Sequence, residues 1–215
     1  MKKIVGIFVI AMLVLGACGS KSSGGVTQPE PTVEATVEPS ASPETAGFAI
    51  TEGAWFVGSE IIPGTYIAFP ESSCYWERLS GSGGTLDEIE ANDNIVIQGL
   101  VTIKKSDYAF STTCEGWYAV EDYIALFDQG IGKTMEELNG FIPGDGTYIV
   151  GYDILPGTYR SKGNDGCYVA RLGGFSGELD EIISNDFGNG SVLVTIKSGD
   201  EGFETSGCYD WNRVK

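Results

Sequence analysis

CYWERLSGSGGTLDEI (Cys74–Ile89) and CYVARLGGFSGELDEI (Cys167–Ile182) are one stretch written twice in the same chain. The match spreads outward from it. VGSEIIPGTY (Val57–Tyr66) aligns with VGYDILPGTY (Val150–Tyr159), and Gly64 falls on Gly157, an offset of 93 residues. The same offset carries Arg78 to Arg171, Asp93 to Asp186, LVTIK at Leu100 to LVTIK at Leu193, and Phe110 to Phe203. After one inserted residue, Cys114 maps to Cys208 and Trp117 to Trp211. A repeat of this length is a repeated domain, not a solenoid of short units. It predicts one domain at 47–117, a second at 145–215 and a connector at 118–144.

Each copy reads as β-structure. Short runs rich in Val, Ile, Thr and aromatics are separated by Gly, Asn, Asp and Pro. The predicted strands of copy 1 are Trp55–Val57, Thr65–Phe69, Tyr75–Leu79, Ile95–Gln98, Leu100–Lys104 and Ala109–Thr112. Those of copy 2 are Tyr148–Val150, Thr158–Arg160, Tyr168–Leu172, Val192–Lys197 and Phe203–Thr205. Ile62-Pro63-Gly64 and Leu155-Pro156-Gly157 read as turns, with proline at i+1 and glycine supplying positive φ at i+2. LDEI is ambiguous between a strand and one helical turn. The expected fold class is all-β: two tandem antiparallel sandwich- or barrel-like domains. In the connector, Thr134 and Glu137 form a capping box and Gly140 a stop, so a short helix is expected. Tyr123, Ile124, Leu126 and Phe127 are too apolar for a free linker and are expected to pack on one or both domains.

The chain has five cysteines. Cys74, Cys114, Cys167 and Cys208 lie two to a copy, and repeat symmetry favours the bridges Cys74–Cys114 and Cys167–Cys208. Closing a loop of about 40 residues contributes roughly 4 kcal/mol in the chain-entropy account. A domain of about 65 residues buries only about 60% of its unfolded surface and is marginal without such a staple.

The fifth, Cys18, stands elsewhere. Lys2 and Lys3 precede an apolar run, Ile4–Leu15, that is too short to span a bilayer and reads as a signal peptide (1–17). Its end, Leu15-Gly16-Ala17-Cys18, resembles the lipobox of bacterial lipoproteins. The resemblance implies cleavage before Cys18 and acylation of its sulfur, anchoring the chain to a lipid membrane. The rival is cleavage at an A-x-A-like site with free secretion. Residues 18–46 are dominated by Pro, Ser, Thr and Glu, with no large aromatic residue, and read as a disordered tether. In polyproline II it reaches on the order of 80 Å.

Charge excludes one class of partner. The chain carries −17, and removing the signal peptide leaves 11 cations against 30 carboxylates. Such a surface repels nucleic acid. The chain has no histidine, which removes the commonest general base, the Ser-His and Cys-His pairs and most zinc sites.

The ordered string GTY…CYW.RLSG…LDEI…ND…VTIK.SD..F…C..W resembles a domain that recurs in bacterial secreted proteins and lipoproteins. The resemblance covers both copies. It implies architecture and location, and no activity, cofactor or site residues.

Candidate chemistry is sparse. RLxG…LDE sets Arg78 with Asp87 and Glu88, and Arg171 with Asp180 and Glu181. An Arg and two acids can line a polar pocket, or the Arg can pair with one acid to hold a loop. Adjacent Asp and Glu on a strand point to opposite faces, which disfavours a shared glycosidase-like site. Ala91-Asn92-Asp93 and Ser184-Asn185-Asp186, with Asp107 and Asp200, offer oxygen ligands near turns that calcium would suit, although no EF-hand pattern is present. Trp76 is aromatic in copy 1 and Val169 in copy 2. Ile95–Ile97 likewise becomes Gly188–Gly190, and such differences mark where function is sought. No cofactor is expected. The reading is a lipid-anchored, non-catalytic module of the bacterial cell surface or periplasm that binds or scaffolds an envelope protein or glycan. A carboxylate hydrolase of envelope glycan and a structural spacer are the alternatives.

Overall fold

In the computed structural model, which describes residues 49–214, burial alternates residue by residue along Cys74–Leu79, as its sequence pattern requires. The signal peptide, Cys18 and the Pro-rich stretch lie outside the described residues. Copy 1 contains β1 (Ile50–Phe56), β2 (Gly64–Ala68), β3 (Cys74–Leu79), β4 (Ile89–Ile95), β5 (Gly99–Ile103) and β6 (Ala109–Ala119). All pairings are antiparallel, in the order β4-β3-β6-β2-β5, with β1 also along β6. The long β6 serves two half-sheets. Its residues Ala109–Thr112 pair with β3, and Tyr118 and Ala119 pair with β2. A barrel-like wrap around one core results.

Copy 2 repeats this with longer strands. β7 (Gly146–Ile149) answers β1. β8 (Gly157–Leu172) does the work of β2 and β3, and β9 (Ile182–Ile196) that of β4 and β5. β10 (Gly202–Ser206) and β11 (Asn212–Arg213) share the role of β6. The fusion has a local cause. Pro70 interrupts copy 1 because it cannot donate to a ladder. Copy 2 has Gly163 and Gly166 there, at φ of 83° and 88°, and the register slips around Asn164↔Gly190 without ending the pairing.

Both disulfides form within their own copy: Cys74–Cys114 and Cys167–Cys208. Each core is organised the same way. Trp117 and Trp211 are fully buried, edge-on to Phe110 and Phe203. Their indole nitrogens donate to the Thr112 and Thr205 hydroxyls at 3.2 and 3.0 Å. The polar end of each tryptophan is thereby satisfied inside the core.

Three local expectations are corrected, and the ambiguity of LDE resolves to a helical turn. Gly64 and Gly157 are not in the left-handed region. They open β2 and β8, and the turn glycines are Gly58 and Gly151, at φ of 85° and 93°. Ile95–Gln98 is not a strand, and the strand precedes it. Asn92-Asp93-Asn94 looks like turn chemistry, yet these residues pair with β3 and expose their side chains. The same holds for Asn185 and Asp186 in β9. LDE forms a single 3-10 turn in each copy, at Leu86–Glu88 and Leu179–Glu181.

The connector contains two helices rather than one: α1 (Val120–Asp128), which continues directly from β6, and α2 (Met135–Asn139). Thr134 accepts from Glu137 N–H, and Gly140 ends α2 in the left-handed region. A third core joins the copies. Ile67 and Leu100 from copy 1, Val120 from α1 and Ile149 from copy 2 are buried together. Tyr123, Ile124, Tyr152 and Phe175 pack against them. An aromatic chain continues the contact, from Phe69 through Tyr123 and Phe127 to Tyr152, at centroid spacings of 5.4–5.5 Å. Leu126, expected to pack, stays exposed. No helix among the described residues is long and apolar enough to cross a membrane.

Candidate functional site

The site worth building is the cleft between the copies, and its floor is made by a loop. In copy 2 the chain leaves β8 and runs through residues 173–178 before the 3-10 turn. Glu181 holds this loop by accepting from Ser176 N–H at 2.6 Å. Glu88 does the same for copy 1, accepting from Gly83 and Thr85 N–H at 3.0 and 3.3 Å. Asp87 and Asp180 point into solvent.

Neither arginine meets these acids, contrary to expectation. Arg78 Nε and Nη2 donate to Asp107, at 2.7 Å each. Arg171 makes the equivalent pair with Asp200, at 2.6 and 2.5 Å. The pairing partner lies on the β5–β6 turn, or its β9–β10 counterpart, across the sheet from the LDE motif. A planar guanidinium facing a carboxylate at these distances is a bidentate pair. Asp107 and Asp200 are thereby committed to arginine, and the Asn-Asp motifs lie in paired strands rather than at turns. Among the described residues no group of three or more His, Cys, Asp or Glu is placed to hold a metal ion.

The two arginines differ in what lies above them. Arg78 Nη1 donates to Ser176 O at 2.6 Å and reaches Glu178 at 3.4 Å. Lys104 holds the other side of Glu178 at 2.6 Å. The hydrogen bonds and charges of Lys104 and Arg78 hold the Glu178 carboxyl below its ordinary pKa. Thr102 N–H, on the outer edge of β5, donates to Phe175 O at 2.7 Å. Gly177 lies so close to Ala91 and Trp76 that a Cβ there would meet them at 3.0 and 3.1 Å. Loop 173–178 of copy 2 is therefore seated in copy 1, and it covers Trp76, which is 2 % exposed. Trp76, the aromatic that differs between the copies, is thus buried under the seated loop.

A second lock lies nearby. Gln98 donates to Thr147 O at 2.9 Å and to the Asp153 carboxylate at 2.7 Å, and Gln98 O accepts from Thr147 N–H at 2.9 Å. Asp153, fully buried, also accepts from Tyr123 OH at 2.5 Å and Ile149 N–H at 2.8 Å. These bonds satisfy a carboxyl whose pKa burial pushes up.

Between the locks runs a cleft of about 180 Å³, whose lining includes Trp76, Asp93, Thr147, Tyr168 and Glu204. Desolvation, followed by the charge of Asp93, pushes Glu204 up to about 7. Asp93, in the same lining, is also raised, chiefly by the desolvation of a carboxyl facing the cleft. Trp76 Nε1 is buried without a hydrogen-bond partner. One unpaired donor and two crowded carboxyls thus converge on a space between domains.

Sequence reasoning missed Gln98, Asp153, Phe175, Glu178 and Glu204. A signal was present. Their counterparts in the other copy are Ser191, Glu60, Ser82, Thr85 and Ser111, so each is a position where the copies differ in chemistry.

The fold defines a class: tandem antiparallel β domains, each closed by one disulfide and joined through a shared core. The chain belongs to the Rv1352-like extracellular domain family, which matches residues 48–118 and again 140–212. The two domains are thus of an extracytoplasmic kind. Among its relatives are the uncharacterized proteins Rv1352 of Mycobacterium tuberculosis and Mb1387 of Mycobacterium bovis. Each is 31% identical over 87 residues, covering 34% of this chain and 70% of the relative. No solved structure matches the chain.

Proposed function

We propose that the chain is a membrane-anchored lipoprotein of the bacterial envelope, acylated at Cys18, whose two-copy head binds or scaffolds an envelope component without catalysis. The observation that carries the binding role is the cleft. Trp76 Nε1 offers a desolvated donor, and Asp93 and Glu204 offer carboxyl groups beside it. A buried donor with no partner costs free energy that a ligand hydroxyl or carbonyl recovers. A glycan hydroxyl or a polar protein side chain fits that demand, and the acidic surface turns nucleic acid away.

Two measurements test this. Metabolic labelling with a radioactive fatty acid tags the parent chain and not Cys18→Ala; labelling of both removes the anchor assignment. A glycan array followed by titration calorimetry with envelope glycans is expected to give binding that Asp93→Asn and Glu204→Gln weaken. Binding unchanged by both variants moves the ligand elsewhere, and absence of binding to glycan or protein leaves a spacer.

One observation favours a second reading. A carboxyl pushed up to about 7 beside a second carboxyl is what a carboxylate hydrolase uses as its acid. Release of reducing sugar from wall polymer, abolished by Glu204→Gln, would establish that reading in place of the first.

A further inference from the structure

The loop seating between the copies is one-sided. Copy 2 contributes a loop and copy 1 receives it. The repeat means that copy 2 has a receiving face of its own, and that face is open. Arg171, Lys197 and Thr195 stand where Arg78, Lys104 and Thr102 stand in copy 1. Arg171 spends Nε and Nη2 on Asp200 and leaves Nη1 without a partner among the described residues. Its side chain is 13% exposed against 1% for Arg78. Lys197 is exposed and forms no ion pair among the described residues, where Lys104 grips Glu178. Strand β9 pairs only with β8, so its outer edge at Thr195 is unpaired. Val169 replaces Trp76, and a groove of about 260 Å³ opens beside it, lined by Arg171, Ser184, Asp186, Leu193, Thr195 and Lys197. Leu193 is 53% exposed where its counterpart Leu100 is buried in the shared core.

We propose that this face of copy 2 is a docking site for a carboxylate-bearing loop of a partner protein, received as copy 1 receives residues 173–178. The seated loop defines the partner's chemistry. One backbone carbonyl accepts from the strand edge, as Phe175 O does from Thr102. The next accepts from the arginine, as Ser176 O does from Arg78. A carboxylate two residues further on lies between arginine and lysine, as Glu178 does. Edge pairing supplies affinity and the paired cations supply selection. Lys197, which forms no ion pair among the described residues, and the unspent Nη1 of Arg171 form a local attraction for an acidic loop on a chain of net charge −17. A second copy of this chain is not the occupant. Its loop 173–178 is already seated, and its homologous loop in copy 1 carries Ser82 and Thr85 where the seated loop has Phe175 and Glu178.

The repeat also supplies the test. In the full chain with Cys18→Ser, the substitutions Ser82→Phe, Gly83→Ser and Thr85→Glu give the exposed copy 1 loop the docking sequence. The chain then carries a free loop and a free receiving face. A heterologous contact of this kind propagates head to tail. At protein concentrations up to about 1 mM, comparable with the effective concentration of a tethered module, the apparent mass in sedimentation is expected to rise about twofold or more. Adding Lys197→Glu is expected to return it to the parent value. A triple variant that stays as monodisperse as its parent overturns the proposal, as does association indifferent to Lys197→Glu. A cyclised peptide of residues 173–180, titrated into the unsubstituted chain, gives an independent readout. Shifts of the Thr195 and Lys197 amides support the proposal, and shifts absent or confined elsewhere overturn it.

Discussion

Arg78 Nη1 donates to the Ser176 carbonyl at 2.6 Å while the same guanidinium holds Asp107 with two bonds of 2.7 Å. One side chain closes copy 1 and fastens copy 2 to it. Arg78→Ala leaves Asp107 buried and unpaired, and its expected cost is about 3–5 kcal/mol. Arg171→Ala removes the matching ion pair with Asp200 but no cross-copy bond, from a less buried site, and costs less. Urea denaturation of the two variants measures the difference. Equal losses would mean that the bond to Ser176 contributes nothing.

Gln98→Ala removes the donor that faces Thr147 O and Asp153. Leaving these acceptors short of a partner costs about 1–3 kcal/mol. The effect concentrates at the junction, so cleavage by trypsin after Lys133 in the connector is expected to speed up relative to the parent. A cleavage rate unchanged by the variant would show that Gln98 does not hold the junction.

The cleft carboxyls give the stability a pH slope. Glu204 keeps its proton up to about pH 7 when folded, against 4.5 for the ordinary group. Between those values the folded chain binds more protons than the unfolded one, so this group's contribution falls as pH rises from about 4.5 to 7. Asp93, also raised, acts in the same direction. Asp200, lowered chiefly by its hydrogen bond with Arg171, acts oppositely: its contribution is present at neutral pH and lost in acid. Glu204→Gln is expected to flatten the neutral part of the profile and to raise stability at pH 8 by at most about 3 kcal/mol. Melting temperatures across the pH range check this, and a slope untouched by the substitution refutes it.

Each disulfide closes a loop within one domain, with sequence separations of 40 and 41. Cys74→Ala/Cys114→Ala and Cys167→Ala/Cys208→Ala are each expected to cost roughly 2–4 kcal/mol, by similar amounts. Calorimetry of the two double variants measures both. The copy 2 pair proving dispensable would show that the long β8–β9 hairpin stabilises that domain without its staple.

Much of the fold was legible because duplication turns one sequence into two readings of one structure. The cysteine pairs and most strands followed from it. Strand β4 was not legible. Its Asn92, Asp93 and Asn94 favour turns locally, and only pairing with β3 holds them extended. The arginine partners were hidden for a related reason. Asp107 lies 29 residues from Arg78 in sequence and is brought to it by the β3–β6 pairing, whereas the nearer Asp87 and Glu88 are carried away by the 3-10 turn. The cleft was the least legible feature, since it depends on how two domains meet. Its residues were nonetheless marked, as positions where the copies ceased to match.

The copies form one body by seating loop 173–178 on the edge of β5. Native-state hydrogen exchange at two homologous amides tests it most directly. Thr102 N–H donates to Phe175 O across the junction, and Thr195 N–H stands at the same place on an edge that receives nothing. Strong protection is expected at Thr102, close to that of core amides, and fast exchange at Thr195. Fast exchange at both would contradict it.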